Sequence, residues 1–538
     1  MELLDNLALG FSVALSFQNI FYCFAGVLLG TLIGVLPGLG PIATIAMLLP
    51  ITFGLPPVSA LIMLAGIYYG AQYGGSTTAI LINLPGESSS VVTAIDGHQM
   101  AKQGRAGAAL ATAALGSFFA GTVATFLLAV FSPPLAELAL QFGPAEYFSL
   151  MVLGLIASVT LASGSVVKAL AMIVLGLMLG LSGQDIYTGV PRFTFDLPEL
   201  ADGLDFVALA MGMFGISEII RNLEDEHQRL LVAAKVKGLM LTKEDFRSII
   251  GPVLRGTGIG SILGILPGGG AMLSSFAAYS IEKKISRTPQ RFGRGAIEGV
   301  AGPESANNAG AQTSFIPMLT LGIPSNPVMA LMIGALIIQG ITPGPNVVTD
   351  KPDLFWGVIA SMWIGNFMLV LLNLPLIGIW VRLLTVPYHV LFPAIVAFCC
   401  IGVYSVNNNN FDVYAMAFFG ILGYVLVKLD CEPAPLLLGF VIGPMLEEHL
   451  RRAMLISRGD PSVFLTRPIS AVLVPLGADP AGGGWPPPPR RPSSRASSRR
   501  SCATRPRRCA RRRSPWARPW AATPSAGASP CARSAPCC

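Results

Sequence analysis

Four short runs rich in Pro and Gly interrupt the long apolar stretches of this sequence, and they are where chemistry can occur. They are Pro37-Gly38-Leu39-Gly40, Pro85-Gly86-Glu87-Ser88, Pro267-Gly268-Gly269-Gly270 and Pro324-Ser325-Asn326-Pro327. Proline removes a helix hydrogen bond and glycine permits positive φ, so each run predicts a broken helix with free backbone N–H and C=O groups. Half-helix N-termini at such breaks offer donors and a positive dipole end to an anion, and the freed carbonyls suit a small cation. Neutral hydrogen-bonding side chains cluster beside two of the runs, namely Ser76, Thr77, Thr78, Asn83, Ser88, Ser89 and Ser90, then Asn307, Asn308, Gln312, Thr313, Ser314, Ser325 and Asn326. These suit the oxygens of a carboxylate and a Na⁺ ion. The candidate substrate-binding set is Ser76, Thr77, Asn83, Gly86, Ser88, Ser89, Asn307, Asn308, Thr313, Ser314, Ser325 and Asn326. The candidate helix-break and ion-binding set is Pro37, Gly38, Gly40, Pro85, Pro267, Gly268, Gly270 and Pro324.

Plainer readings stand beside these. Glu87 and Glu304 are the acids nearest the breaks; the first also fits a headgroup-region residue and the second a helix cap. Scattered glycines in 106–131 and 164–183 read as close helix packing. His98 reads as a solvated loop residue, and Asn407 to Asn410 as a tight extracytoplasmic turn. Catalysis finds little support. The sequence has no His-Glu-x-x-His, no Walker A loop, no metal-binding cysteine spacing and only four His. Neither a cofactor nor a metal site is expected, so transport would be driven by an ion gradient or by a partner.

Composition says where these breaks lie. The chain is 53% hydrophobic and 12% charged over 538 residues, against about 25% charged in soluble domains. Its apolar blocks run about 17–27 residues, enough to cross a hydrocarbon core of about 30 Å. At that depth, irregular backbone is tolerated only inside protein or beside a watery cavity. Paired breaks in corresponding positions of two halves point to a transporter binding site. The pairing is visible: Gly30-Thr-Leu-Ile-Gly-Val-Leu-Pro-Gly-Leu-Gly40 recurs as Gly260-Ser-Ile-Leu-Gly-Ile-Leu-Pro-Gly-Gly-Gly270, and Gly70-Ala-Gln72 recurs as Gly310-Ala-Gln312.

Lys and Arg set the orientation, because short cytoplasmic loops are enriched in them. None occurs in residues 1–101; Lys102, Arg105, Lys168, the run Arg221 to Arg247 and the run Lys283 to Arg294 mark the inner side. The span 249–281 is flanked on both sides by inner-side charge and reads as a re-entrant hairpin, whereas its counterpart around Gly40 enters from outside. Crossings are expected at 57–86, 106–131, 145–163, 166–183 and 204–221, then at 297–340, 354–380, 388–406 and 411–429. The expected fold is all-α and polytopic, with about 10–12 hydrophobic segments in two inverted repeats containing re-entrant hairpins and broken helices. Residues 1–221 form the first repeat, 222–248 a cytoplasmic charged linker, and 249–475 the second repeat. Residues 476–538 form a tail. It holds 13 Arg and no acid from Ala481 onward, which outweighs the net charge of +7 and leaves the rest of the chain acidic. The tail reads as disordered, with a composition that GC-rich codons yield in a shifted frame, so no nucleic-acid partner is expected. The N-terminus has no basic region ahead of its apolar run and does not read as a signal peptide.

Six segments together resemble the large membrane subunit of the tripartite tricarboxylate transporter family: Gly34 to Gly40, Tyr69 to Thr78, Leu84-Pro-Gly-Glu87, Asp96-Gly-His-Gln99, Pro303-Glu-Ser-Ala-Asn-Asn308 and Leu321-Gly-Ile-Pro-Ser325. The likeness runs over about residues 5–470 and stops before the tail. It implies a multi-pass permease of the bacterial inner membrane, in contact with the lipid bilayer, a small membrane subunit and a periplasmic solute-binding protein. It further implies citrate-like tricarboxylates or related organic acids as substrate, with Na⁺ or H⁺ as coupling ion. The competing readings are a stand-alone secondary carboxylate transporter and, more distantly, an intramembrane enzyme.

Overall fold

The helices with the most polar and small residues lie at the centre of this protein, and the apolar ones surround them. Every residue from Ser59 to Ile82 is buried, as is every residue from Gly299 to Thr313, although these stretches hold Gln72, Ser76, Thr77, Glu304, Asn307 and Gln312. A chain in lipid has no reason to hide Leu and Phe, and large apolar side chains such as Phe126, Phe398 and Phe418 are exposed. The computed structural model describes residues 2–36, 39–161, 165–185, 187–224, 239, 241–266, 270–383 and 388–478. Pro37, Gly38, Pro267 and Gly268, most of the central linker and the basic tail lie outside the described residues.

In the first half the helices are α1 (Glu2–Ala14), α2 (Phe17–Gly34), α3 (Pro41–Leu48), α4 (Pro57–Ile82), α5 (Val91–Lys102), α6 (Ala106–Ala139), α7 (Pro144–Leu161) and α8 (Val166–Gly180). A two-residue hairpin, β1 (Gly183–Gln184) with β2 (Pro191–Arg192), precedes α9 (Phe206–Ala210), a π turn at Met211–Ile216 and α10 (Ser217–Glu224). The second half begins with α11 (Lys243–Ile265), α12 (Gly270–Ile285), α13 (Glu298–Thr313), α14 (Phe315–Leu321), α15 (Pro327–Ile338) and α16 (Asn346–Asp350). It continues through α17 (Pro352–Asn373), α18 (Ile377–Leu383), α19 (Tyr388–Asn407), α20 (Asn410–Lys428), α21 (Pro433–Ile456), α22 (Val463–Thr466) and α23 (Pro468–Ala478). Among the described residues, six helical stretches are long and apolar enough to cross a membrane, and further apolar helices of 10–17 residues accompany them. The protein is an all-α, multi-pass membrane protein.

The breaks divide the central helices. The expected crossing 57–86 ends as a helix at Ile82, where Asn83 turns left-handed (φ 59°) and the chain stays irregular until α5. The expected crossing 297–340 is three pieces: α13 kinks into α14, Gly322 turns left-handed (φ 69°), and α15 restarts at Pro327. Asn and Gly are the residues that tolerate this conformation. α11 starts at Lys243, inside the expected linker, because Thr242 and Asp245 form a reciprocal capping box.

Glycine ladders hold the two helix pairs together. A Cβ on Gly26, Gly30 or Gly34 of α2 would come within 2.2–2.5 Å of the α4 backbone at Met63, Ile67 and Ala71. A Cβ on the counterparts Gly256, Gly260 and Gly264 of α11 would likewise lie 2.3–2.4 Å from the carbonyl oxygens of Gly302, Ala306 and Gly310 of α13. Small residues in membrane helices permit this backbone approach, and the same spacing in both halves extends the repeat beyond its most similar segments.

Two expectations fail. His98 is not a solvated loop residue: it lies in α5, 4% exposed, with Nδ1 3.1 Å from the Ile80 carbonyl. Packing of α5 across α4 and α13 buries Thr93, Asp96 and His98, while Val91, Ile95 and Lys102 stay exposed. The crossing expected to end at 131 continues as helix to Ala139, with Pro133 and Pro134 inside α6. Prolines are accommodated in membrane helices where neighbouring groups re-satisfy the backbone. Asn407 to Asn410 is a tight turn, with Asn408 left-handed (φ 52°).

Candidate functional site

The first break carries Glu87 into contact with the second half. Asn307 Nδ2 of α13 donates to Glu87 Oε1 at 3.1 Å, and Ser89 Oγ donates to the same oxygen. Ser90 Oγ folds back to the Glu87 carbonyl at 2.9 Å, while Ser275 Oγ of α12 donates to the Ser89 carbonyl at 3.0 Å. Only glycine fits at position 86, since a Cβ there would lie 2.5 Å from Gly75 Cα and 3.0 Å from the Gly34 carbonyl oxygen. Gly40, at the α2–α3 break, faces the Gly86 carbonyl. The two breaks of the first half therefore meet.

The breaks of the second half meet likewise. Gly270 opens α12 in a left-handed conformation (φ 53°), and a Cβ there would lie 3.2 Å from Asn326 Nδ2. Asn326 caps α15 by accepting the Met329 N–H at 3.1 Å, and its Nδ2 donates to Ser314 Oγ at 3.0 Å. Ser325 Oγ donates to the Ser314 carbonyl at 3.4 Å. Gly270 and Ser275 are five residues apart on α12, about 7.5 Å along its axis. That helix therefore touches Asn326 with its first residue and Ser89 with its second turn.

Between the clusters lies Glu304, at mid-α13 rather than at a helix start, and 1% exposed. Ser76 Oγ stands 2.8 and 2.9 Å from its two carboxylate oxygens, Ser117 Oγ donates at 3.4 Å, and Thr93 Oγ1 donates as well. Asn308 Nδ2 donates to Ser117 Oγ at 2.7 Å. A cavity of about 20 Å³ adjoins this carboxylate, lined in part by Ser76, Thr77, Ser117 and Asn373.

Of the sequence-proposed residues, the structure brings Ser76, Gly86, Ser89, Asn307 and Asn308 together around two carboxylates. It gathers Gly270, Ser314, Ser325 and Asn326 into a second cluster, with Pro324 beside them. Asn83 and Ser88 are exposed and join neither. Thr313 Oγ1 is spent on the Ala309 carbonyl of its own helix at 3.0 Å. Sequence reasoning missed Thr93, Ser117, Asn373 and Asn366, whose Oδ1 accepts from the hydroxyl of the cavity-lining Tyr73 at 3.2 Å. Asn366 and Asn373 lie two turns apart in an otherwise apolar helix, where polar residues are candidates by default, so a signal was present. Gln72 and Gln312, at repeat-equivalent positions, are 1% and 2% exposed with unpartnered amide oxygens. A buried polar group without a partner costs about 1–3 kcal/mol, so stability alone does not explain them.

Comparison with known proteins decides the family. Residues 20–438 match the Tripartite tricarboxylate transporter TctA family. The chain belongs to that family. An uncharacterized 52.8 kDa protein in the TAR-I ttuC' 3' region of Agrobacterium vitis is 69% identical over 477 residues, spanning 89% of this chain and 95% of the relative. An uncharacterized protein in the TAR-II ttuC' 3' region of the same organism is 72% identical over 218 residues, 40% of this chain and 90% of that protein. No solved structure gives a significant match. As a TctA-family protein, the chain is the membrane component of a multi-component tricarboxylate transport system.

Proposed function

We propose that this TctA-family chain is the permease subunit for uptake of tricarboxylates or related organic acids across the bacterial inner membrane. It works with a small membrane subunit and a periplasmic solute-binding protein, uses a Na⁺ or H⁺ gradient, and carries out no covalent chemistry. The observation that carries this reading is the pair of broken-helix clusters, one from each half, joined through α12. Paired breaks of this kind supply N–H donors and neutral side chains to an anion between two moving repeats. Substrate delivered from the periplasm settles between the halves, and one half then moves against the other to expose it inward. The 20 Å³ beside Glu304 admits only one water-sized body, so a tricarboxylate enters only when the halves part.

The test is uptake of radiolabelled citrate by cells expressing this chain with its genomic neighbours, in Na⁺ or choline buffer, with each neighbour omitted in turn. Cation-dependent uptake that disappears without the binding protein supports the tripartite reading. Uptake by this chain alone replaces it with a stand-alone transporter.

A further inference from the structure

Glu304 poses a charge problem that the fold does not solve with protein groups. A buried carboxylate is costly unless paired, yet none of the ion pairs among the described residues includes Glu304. Its partners are hydroxyls: Ser76, Thr93 and Ser117 all turn donors toward it, an arrangement that suits the carboxylate anion. The cavity beside it holds a second anomaly. Asn373, 5% exposed, lines that cavity, and its Oδ1 has no hydrogen-bond partner.

Both anomalies disappear if something positive and small occupies the space. Beside the apolar Leu110, Ala113, Ala114 and Leu374, the lining offers oxygens to an ion: the Glu304 carboxylate, the hydroxyls of Tyr73, Ser76, Thr77 and Ser117, and the Asn373 amide oxygen, whose Nδ2 is held by the Leu369 carbonyl at 3.0 Å. Oxygen-only donor sets suit hard cations. One carboxylate balances one positive charge, so a divalent ion would leave an uncompensated charge in the interior. The volume of about 20 Å³ takes one water-sized body.

We propose that the cavity between Glu304, Ser76, Ser117 and Asn373 binds one Na⁺ ion. This names the ion and site for the gradient coupling in the functional reading above, and rests on that reading for its role in transport. Ser76 comes from the first half and Glu304 from the second, so an ion there ties the halves together. Asn307, one turn from Glu304, holds Glu87 at the first break. Occupancy of the cavity is thereby linked to the arrangement of that break, and by reciprocity the substrate tightens ion binding by the same factor as the ion tightens substrate binding.

The experiment uses the purified full chain in lipid nanodiscs. Thermal unfolding is followed as NaCl replaces choline chloride at constant ionic strength, for the wild type, Glu304→Gln and Asn373→Leu. The wild type should show a saturable rise in midpoint with NaCl, and both variants should lose it. Asn373→Leu removes an unpartnered oxygen and is expected to fold even if Glu304→Gln does not. A wild-type midpoint indifferent to Na⁺, or a rise of full size in Asn373→Leu, overturns the proposal. Citrate uptake assayed in parallel separates the two readings. A Na⁺-dependent rise lost in the variants, in a protein that transports no organic acid, upholds the site while removing the transport reading.

Discussion

Replacing Gly260 with Ala puts a methyl group into the closest helix crossing of the second half. The added Cβ would stand 2.3 Å from the Ala306 carbonyl oxygen and 2.8 Å from its Cα. Carbon contacts are comfortable at about 3.5–4.0 Å, so α11 and α13 must separate by about 1 Å. Both obstructing atoms are backbone, and no rotamer change relieves the overlap. Overpacking of this kind costs about 1–3 kcal/mol. Gly258 supplies the control, because it lies on the same helix and a Cβ there meets nothing within 4 Å. Gly258→Ala should be neutral or gain up to about 1 kcal/mol from helix propensity. The two substitutions are chemically identical and two residues apart, yet their stabilities should differ by about 1–4 kcal/mol. Reversible unfolding in mixed micelles measures the difference. Equal stabilities, or a Gly260→Ala variant more stable than Gly258→Ala, would refute backbone contact as the reason for the ladder.

Gln72→Leu and Gln312→Leu each remove a buried amide with an unpartnered oxygen, so the unfolding midpoint should hold or rise while uptake falls; a midpoint drop in both counts against a functional role. Asp96→Ala leaves the N–H groups of Gly293, Gly295 and Ala296 without their shared acceptor at 2.8–2.9 Å. At about 1–3 kcal/mol per unsatisfied group, this loop should become much more sensitive to limited proteolysis, and an unchanged cleavage pattern would contradict that. Asn326→Ala should cost about 1 kcal/mol as a lost helix cap and abolish citrate uptake with membrane insertion intact; wild-type uptake would remove Asn326 from the site. Glu87→Gln should alter the Na⁺ dependence of uptake more than the concentration of citrate needed for half-maximal rate, and the opposite split would contradict a cation-side role for this break.

What could be read from the sequence was where helices break and which polar residues are too costly to be incidental. Ser76, Asn307, Asn308 and Asn326 stood out because apolar neighbours make a polar group conspicuous. Ser117 did not, since a Gly- and Ala-rich segment gives small residues a packing role by default. Thr93 and His98 were hidden for a different reason: the run Asp96-Gly-His-Gln99 ahead of Lys102 reads as solvated loop until α4 and α13 are known to cover it. Asn373 ends an apolar helix, where a polar residue usually reaches water. Sequence spacing assigns a residue to a helix face, but only the crossing of two helices decides what that face meets.

The repeat also conceals an asymmetry that matters for charge. Aligning Leu84-Pro-Gly-Glu87 with Ile323-Pro-Ser-Asn326 makes Glu87 the counterpart of Asn326, so one break bears an acid where the other bears an amide. An ionised Glu87 would repel a carboxylate about 4 Å away by about 4 kcal/mol at an effective dielectric of 20, so the first break would take a substrate carboxylate only with a cation or a proton beside it. The second break has no such penalty, and its amide both caps α15 and holds Ser314. A duplication that began with two equivalent sites would, through that single difference, turn one half toward cations and the other toward anions. Coupling between ion and substrate would then run through α12 and α13, because these two helices touch both breaks.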